Sequence, residues 1–304
     1  MRILITGGAG FIPSSLADKL IEMKSEVVLV DNFVTGKREN IPPEASFFEV
    51  DVNQHDKIAP IFRKYSFDYV FHFAALVGVK RTLENPLKVL EDIQGIKNVL
   101  ALSNETNVKR VFYSSSSEVY GEPVHLPQHE ETTPLNSRLP YAIVKNVGES
   151  FFKSYQQTYG LDYTIFRFFN TYGPKQSSDF VMSKFIRAAL TNQDITIYGD
   201  GSQTRTFCYV NDNIDACVQA MLDVNSINQV FNIGNDVITT IKDLAETIIE
   251  VCNSNSQIIY LPPLEDGDMT RRQPDISKMR KLINRDLIEL ETGIKKVINE
   301  IKSK

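Results

Sequence analysis

The chain alternates between two periodicities, and that alternation constrains its fold more than any single residue does. Short runs of β-branched and other apolar residues (RILIT, VVLV, FFEV, YVFHFAA, VFYSSS, TIFRFF) are separated by longer segments of helical period such as LADKLIEM, HDKIAPIFRKY and PLKVLEDIQGIKNVLALS. This pattern predicts repeated βαβ units on a parallel sheet, doubly wound with helices on both faces. Ligands of such sheets sit beyond the carboxyl ends of the strands, where Gly7, Asp31, Asp51, Ala74 and Ser114 are expected to emerge together.

After about Tyr172 the rhythm changes to a helix-like SKFIRAALTN, a short ITIY strand, the turn GDGSQ and mixed elements ending in a charged helix. We therefore expect a first domain over residues 1–172 and a smaller α/β substrate-binding lobe over 173–304, with about 206–240 returning to the first domain. Pro262-Pro263 and the run Glu265-Asp266-Gly267-Asp268 predict a loop.

Of the 304 residues, 42% are hydrophobic and 23% charged, an ordinary globular composition. The net charge of −5 argues against a broad nucleic-acid surface. Cys208, Cys217 and Cys252 do not combine with the four histidines at ligand spacing, so no metal site is expected. Strand and glycine turn begin at once, and no apolar run approaches membrane-spanning length, so a cytoplasmic protein is expected.

The opening MRILITGGAGFIP places glycines between a predicted strand and helix. Backbone amides at a helix start, with the positive end of its dipole, accommodate a pyrophosphate, and glycines let the chain approach it closely. Gly7 and Gly10 keep the three-residue spacing of a dinucleotide turn, while Pro13 stands where a third glycine is usual. Proline fits a first helical turn, whose amides have no intrahelical partner, so a cofactor site is expected to survive. By itself Gly-Gly-Ala-Gly is also compatible with a plain tight turn. Asp31 follows the second strand, where a carboxylate accepts from both adenosine ribose hydroxyls and repels a phosphate there, favouring NAD over NADP. Asp51 ends the third strand as an adenine contact or a solvated turn carboxylate.

Tyr141 and Lys145 lie four residues apart on a predicted helix, on one face and within mutual reach. A tyrosine acting as a base near neutrality needs its pKa lowered by about 3 units, or roughly 4 kcal/mol. One cation at ~4 Å in an intermediate dielectric supplies about that much. The serine run YSSSSEVYGEP, at the end of a predicted strand, strengthens the reading of a catalytic pair.

Together TGGAGFIP, Asp31-Asn32, His72-Phe-Ala-Ala, the Ser-Ser-Ser-Ser-Glu-Val-Tyr-Gly run, Tyr141-x-x-x-Lys145, Arg167-Phe-Phe-Asn-Thr-Tyr-Gly-Pro, Gly201-Ser-Gln-Thr-Arg and Arg272-Gln-Pro-Asp-Ile-Ser-Lys resemble the extended short-chain dehydrogenase/reductases that modify nucleotide sugars. The resemblance covers nearly the whole chain. It implies a Rossmann domain holding a tightly bound, internally regenerated NAD. Its contacts would come from Gly7, Gly10, Phe11, Ile12, Asp31, Asn32, Asp51, Val52, Phe73, Ala74, Ala75, Ser114, Tyr141 and Lys145. Tyr141 would take a proton from the sugar C4 hydroxyl, Ser116 would hydrogen-bond that oxygen, and Lys145 would hold the ribose and tune the tyrosine. Lys80, Asn170, Tyr198, Arg205 and Arg272 would contact a nucleotide-diphosphate sugar, a UDP-sugar being favoured. A homodimer is implied through the helices PLKVLEDIQGIKNVLALS and YAIVKNVGESFFKSYQQTY.

Within the family C4 epimerisation of an NDP-hexose is the favoured reading, with 4,6-dehydration and UDP-glucuronate decarboxylation as alternatives. C4 epimerisation needs only Ser116, Tyr141 and Lys145. Glu118, where epimerases often carry a small residue, matches 4,6-dehydratases that remove the C5 proton and UDP-glucuronate decarboxylases, and Ser117 stands where dTDP-glucose dehydratases carry an acid. Arg272-Gln-Pro-Asp also matches the decarboxylases. Asp92-Ile-Gln-Gly95-Ile96 departs from the usual Asn-x-x-Gly-Thr and is expected to alter the packing or proton path nearby. A scaffold that binds NAD without chemistry is the alternative from another class.

Overall fold

The computed structural model describes residues 1–263 and 272–303, and of residues 79, 80 and 83 the backbone alone. The run Glu265–Asp268, read above as a loop, lies outside the described residues.

The alternating sequence forms a seven-stranded sheet. Its first six strands are β1 (Arg2–Thr6), β2 (Glu26–Asp31), β3 (Ser46–Glu49), β4 (Tyr69–His72), β5 (Arg110–Ser116) and β6 (Asp162–Phe168). The spatial order β6-β5-β4-β1-β2-β3, with strand Gln229–Ile233 outside β6, reverses direction between β1 and β4. Thr6 pairs with His72 across that point, and the registers from β3 to β6 are all parallel. Their carboxyl ends therefore share one edge, the position at which such a sheet binds ligands.

Helices α1 (Phe11–Glu22), α2 (His55–Tyr65), α3 (Val79–Glu84), α4 (Pro86–Glu105) and α5 (Pro140–Tyr159) flank this sheet. Ile58 and Phe62 of α2 and Val89, Ile96 and Val99 of α4 pack with Leu4, Val28, Val70 and Val111 in one core. Burial on both faces explains why these strands read as continuous apolar runs.

The chain divides into two compact units. The first comprises Met1–Gly121, Leu135–Phe168 and Ile214–Phe231, and the second Glu122–Pro134, Phe169–Asn213 and Asn232–Lys304. Within the second, Thr204–Thr206 pairs antiparallel with Ile238–Thr240, and Ile195–Tyr198 pairs parallel with Ile258–Leu261. Asp212, fully buried there, accepts from Arg285 and from the Ile288 amide, fixing the approach to the C-terminal helix Leu290–Lys302. Among the described residues no helix is long and apolar enough to cross a membrane.

Candidate active site

The glycine turn is built by backbone contact. Gly7 has φ +72°, and a Cβ there would lie 2.9 Å from the Ala74 backbone, so β1 and the segment after β4 touch main chain to main chain. Gly10 caps α1, and Pro13 is the third residue of the helix. The first helical bond runs from the Ser14 N–H to the Gly10 carbonyl, so proline removes no donor that the helix uses. The departure at Pro13 leaves the turn and helix start intact, with Phe11 and Ile12 in the first turn.

Asp31 ties this turn to the end of β2. Its Oδ2 accepts from the Ala9 N–H at 3.0 Å and its Oδ1 from the Phe33 N–H at 2.7 Å. Burial pushes its carboxyl pKa up, against those backbone hydrogen bonds. Backbone donors from Ala9, Asn32 and Phe33 take up part, but not all, of the carboxylate's acceptor capacity. Asn32 donates to Asp51 at 3.1 Å, and Asp51 accepts from the Asn53 N–H. Behind them the Val52 carbonyl accepts from Asn98 of α4 at 2.8 Å. Gly95 permits that approach, since a Cβ there would lie 2.7 Å from Val52. The glycine turn, the Asp31 carboxylate beside it and the Asp51-Val52 loop thus suit a dinucleotide.

The segment after β4 joins the same edge. The Thr6 hydroxyl accepts from the Phe73 and Ala74 amides at 3.2 Å each, leaving its own hydrogen for His72 Nδ1 at 2.8 Å. That arrangement assigns the neutral Nε2–H tautomer to His72. Burial, then the Lys145 charge, pushes its pKa down to about 3. Ala75 follows, half-buried, on the way to Leu76.

The catalytic set expected from spacing lies on β5, the turn after it and the first turns of α5. Lys145, 3% exposed, donates to the Ser114 carbonyl at 2.5 Å and reaches the Ser114 hydroxyl at 3.3 Å. Its Nζ lies 5.7 Å from the Tyr141 ring centroid and 5.1 Å from that of Tyr113. Burial pushes the Lys145 pKa down to about 8, opposed by the negative charge of Asp92. Ser116 ends β5 and caps the 3-10 turn Ser117–Tyr120, its Oγ accepting from the Glu118 N–H at 3.2 Å. This leaves the Ser116 O–H as a donor at the strand end. Ser117 is buried, and Glu118 is half-buried on the same turn.

Three supporting groups went unread in the sequence. Glu149, two turns beyond Tyr141 on α5, pairs with Arg167 of β6 at 2.7 Å, both essentially unexposed. Glu149 also accepts from Ser115 at 2.6 Å, and Arg167 donates to the Tyr120 hydroxyl at 2.9 Å. Burial works against the Arg167 charge, but Glu149 and Tyr120 hold its pKa above the usual value. An acid and a base on otherwise apolar faces were the available signal. The third group is Tyr113, which lies under Lys145 and whose hydroxyl fills the space a Cβ would take at Gly148.

That fit makes a prediction. Alanine at Gly148 would bring Cβ to 2.1 Å from the Tyr113 hydroxyl. Helix propensity favours alanine by about 1 kcal/mol, whereas overpacking costs about 1–3 kcal/mol. Tyr113 is 1% exposed and has no solvent to swing into. Gly148→Ala is expected to destabilise the fold, read as a lower denaturation midpoint; a raised midpoint would contradict the packing described.

The expected substrate contacts fall in the second unit, except Lys80, whose side chain is outside the described residues. There Asn170 donates to the Thr206 carbonyl at 3.2 Å, and Arg205 donates to the Thr204 carbonyl at 2.8 Å. Arg272 is half-buried, and Tyr198 is 46% exposed at the end of its strand.

Residues 3–234 match the model of the NAD dependent epimerase/dehydratase family. The chain is 39% identical over 306 residues to a putative UDP-glucose 4-epimerase of Methanocaldococcus jannaschii, covering 99% of this chain and 98% of that one. It is 34% identical to UDP-glucuronic acid decarboxylase 1 of Arabidopsis thaliana, over 100% of this chain and 70% of the plant protein. The crystal structure of a UDP-glucose 4-epimerase from Thermotoga maritima with UDP-glucose superposes with a TM-score of 0.95 at 33% identity, covering 100% of this chain and 99% of that one.

Proposed function

Because the chain belongs to the NAD dependent epimerase/dehydratase family, we propose that it inverts the C4 hydroxyl of a UDP-hexose by oxidising that carbon and reducing it again within one cycle. The observation that carries this reading is the buried Lys145 within 6 Å of both the Tyr113 and Tyr141 ring centroids, anchored on Ser114 two residues before the Ser116 hydroxyl.

NAD would be held by the amides after Gly7, the Asp31 carboxylate, the Asp51-Val52 loop, the Phe73-Ala74-Ala75 segment and Ser114. When bound, NAD supplies a hydride acceptor that gives the hydride back in the same cycle. Tyr141 takes the proton from the C4 hydroxyl and returns it to the same oxygen once C4 has been reduced again with inverted configuration. Ser116 donates to the reacting oxygen and orients it. Lys145, 3% exposed, favours the tyrosinate by its charge. Asn170, Arg205, Arg272 and Tyr198 of the second unit are the proposed contacts to the UDP-sugar, guanidinium groups being suited to diphosphate oxygens.

The UDP preference is supported by the UDP-sugar named for each relative above. Decarboxylation is a second reading, supported by the plant relative and by Glu118 on the turn that Ser116 caps; 4,6-dehydration is a third, resting on Glu118. Proton NMR of UDP-glucose incubated with the protein tests these readings. UDP-galactose is the expected product. A 4-keto-6-deoxy sugar would replace epimerisation by dehydration, and carbon dioxide with a UDP-pentose from UDP-glucuronate would establish decarboxylation.

The same reading includes a homodimer through α4 and α5, whose outer faces expose Leu87 (78%), Leu90, Ile143 and Tyr159 (59%). Light scattering is expected to give twice the 34.5 kDa chain mass; the chain mass alone would refute it. A reducing cytoplasm suits the three free thiols.

A further inference from the structure

Three positions on one face of α5 meet the ring of Tyr113 on β5. Lys145 Nζ stands over that ring at 5.1 Å from its centroid, Gly148 makes room for its hydroxyl, and Phe152 stacks on it at 4.7 Å. Residues 145, 148 and 152 share a helix face by their spacing. His72 of β4 stacks on the same ring at 6.0 Å with an interplanar angle of 18°. With 1% of its surface exposed, the ring is fixed where Lys145 meets it. We propose that Tyr113 is a positioning residue for the Tyr141–Lys145 pair, its ring face holding the buried Lys145 ammonium by a cation–π interaction. The role deepens the reaction proposed above and rests on that reading only for its kinetic consequence.

The ring, rather than the hydroxyl, is assigned this role. The Tyr113 hydroxyl is buried and makes no hydrogen bond among the described residues, so it orients nothing through one. Burial also keeps the phenol neutral, pushing its pKa well up. Lys145 donates to the Ser114 carbonyl and reaches the Ser114 hydroxyl, contacts that satisfy donors without supplying charge. An ammonium out of water keeps its proton only where something negative faces it. The face of an aromatic ring is negative, and its attraction for a cation is greatest where the cation is desolvated. Lys145 is 3% exposed. A Lys145 that keeps its proton remains able to favour the Tyr141 phenolate.

Other groups also act on Lys145. Asp92 of α4, which accepts from the Leu76 N–H and lies near Asp51 and Glu91, adds negative charge. Glu149 of α5 is committed to Arg167 of β6 and to Ser115. Arg81 of α3 donates to the Val77 carbonyl, and His72 is neutral. Tyr141 shares the helix face of Lys145, while Glu118 and Tyr120 lie on the turn after β5, Tyr120 bonded to Arg167. A change confined to the electrons of the Tyr113 ring leaves all of these in place, and so isolates the ring.

The test is a titration of Lys145 in the full-length, NAD-bound protein, using lysine labelled with carbon-13 at Cε and assigning the signal by its loss in Lys145→Met. Position 113 carries in turn phenylalanine with no, one, two or three ring fluorines. Fluorine draws negative charge from the ring face and leaves the shape of the ring almost unchanged. Tyr113→Phe is expected to keep the proton affinity of Lys145 within about twofold of the native value, and three fluorines to lower it about tenfold, with the intermediate rings in order between them. The alkaline limb of the pH–kcat profile should move to lower pH by the same factor.

A ring that only fills space would not respond to fluorine, and an unmoved titration across the series overturns the proposal. A tenfold fall already present in Tyr113→Phe would give the role to the hydroxyl and overturn it as well. Should the ring with three fluorines unfold the chain, the rings with one and two carry the same ordered fall in smaller steps. If the native protein turns over no UDP-sugar, the reaction assigned above fails, while the titrations still decide the role of Tyr113.

Discussion

Tyr141→Phe is expected to lower turnover of UDP-glucose by about 10²- to 10⁴-fold, the range for loss of a positioned acid–base group, with the fold and NAD affinity retained. The substitution deletes one oxygen from a half-buried ring packed on the core, so little packing is lost. Lys145 would remain on Ser114 at the same depth. Steady-state kinetics with circular dichroism and NAD titration check the three parts together. Full activity would remove Tyr141 from the chemistry, whereas lost activity with lost structure would assign it to the core. A scaffold that only binds NAD would not respond to the change.

The largest stability effect is expected at Arg167. Removing one partner of a buried pair leaves an uncompensated charge, at about 3–5 kcal/mol, and Glu149 is 1% exposed. Arg167→Met would leave Glu149 accepting from the neutral Ser115 hydroxyl at 2.6 Å. The stranded carboxyl would bind its proton more tightly in the folded than in the unfolded chain. Stability conferred by a raised folded pKa is present at low pH and lost as pH rises through that pKa. The deficit of Arg167→Met should therefore shrink as pH falls from 7 towards the carboxylate range. Denaturant melts at several pH values check this; a deficit below 1 kcal/mol at pH 7 would mean that the pair is not an isolated buried one.

Local signals made much of the fold readable. The strand runs and the helices between them followed from periodicity, and Pro13 could be placed in a first helical turn because amides there have no partner. The Tyr141–Lys145 pair needed only the helical repeat. What escaped depends on pairing between distant segments. Glu149 and Arg167 meet because α5 lies against the β5–β6 pair, a register that no spacing encodes. Tyr113 fits Gly148 for the same reason. In the second unit, Ile195–Tyr198 finds Ile258–Leu261 across more than 60 residues, beyond the reach of any local rule. Asp92 was visible as a departure in type, but its contact with the Leu76 amide required the fold.

Oxidation and re-reduction of a single carbon is tested most directly with UDP-glucose carrying deuterium at C4. The account predicts UDP-galactose with the deuterium still at C4, because the hydride that leaves is the one that returns. Deuterium found at C6 or exchanged into solvent, or no UDP-galactose formed at all, would contradict it.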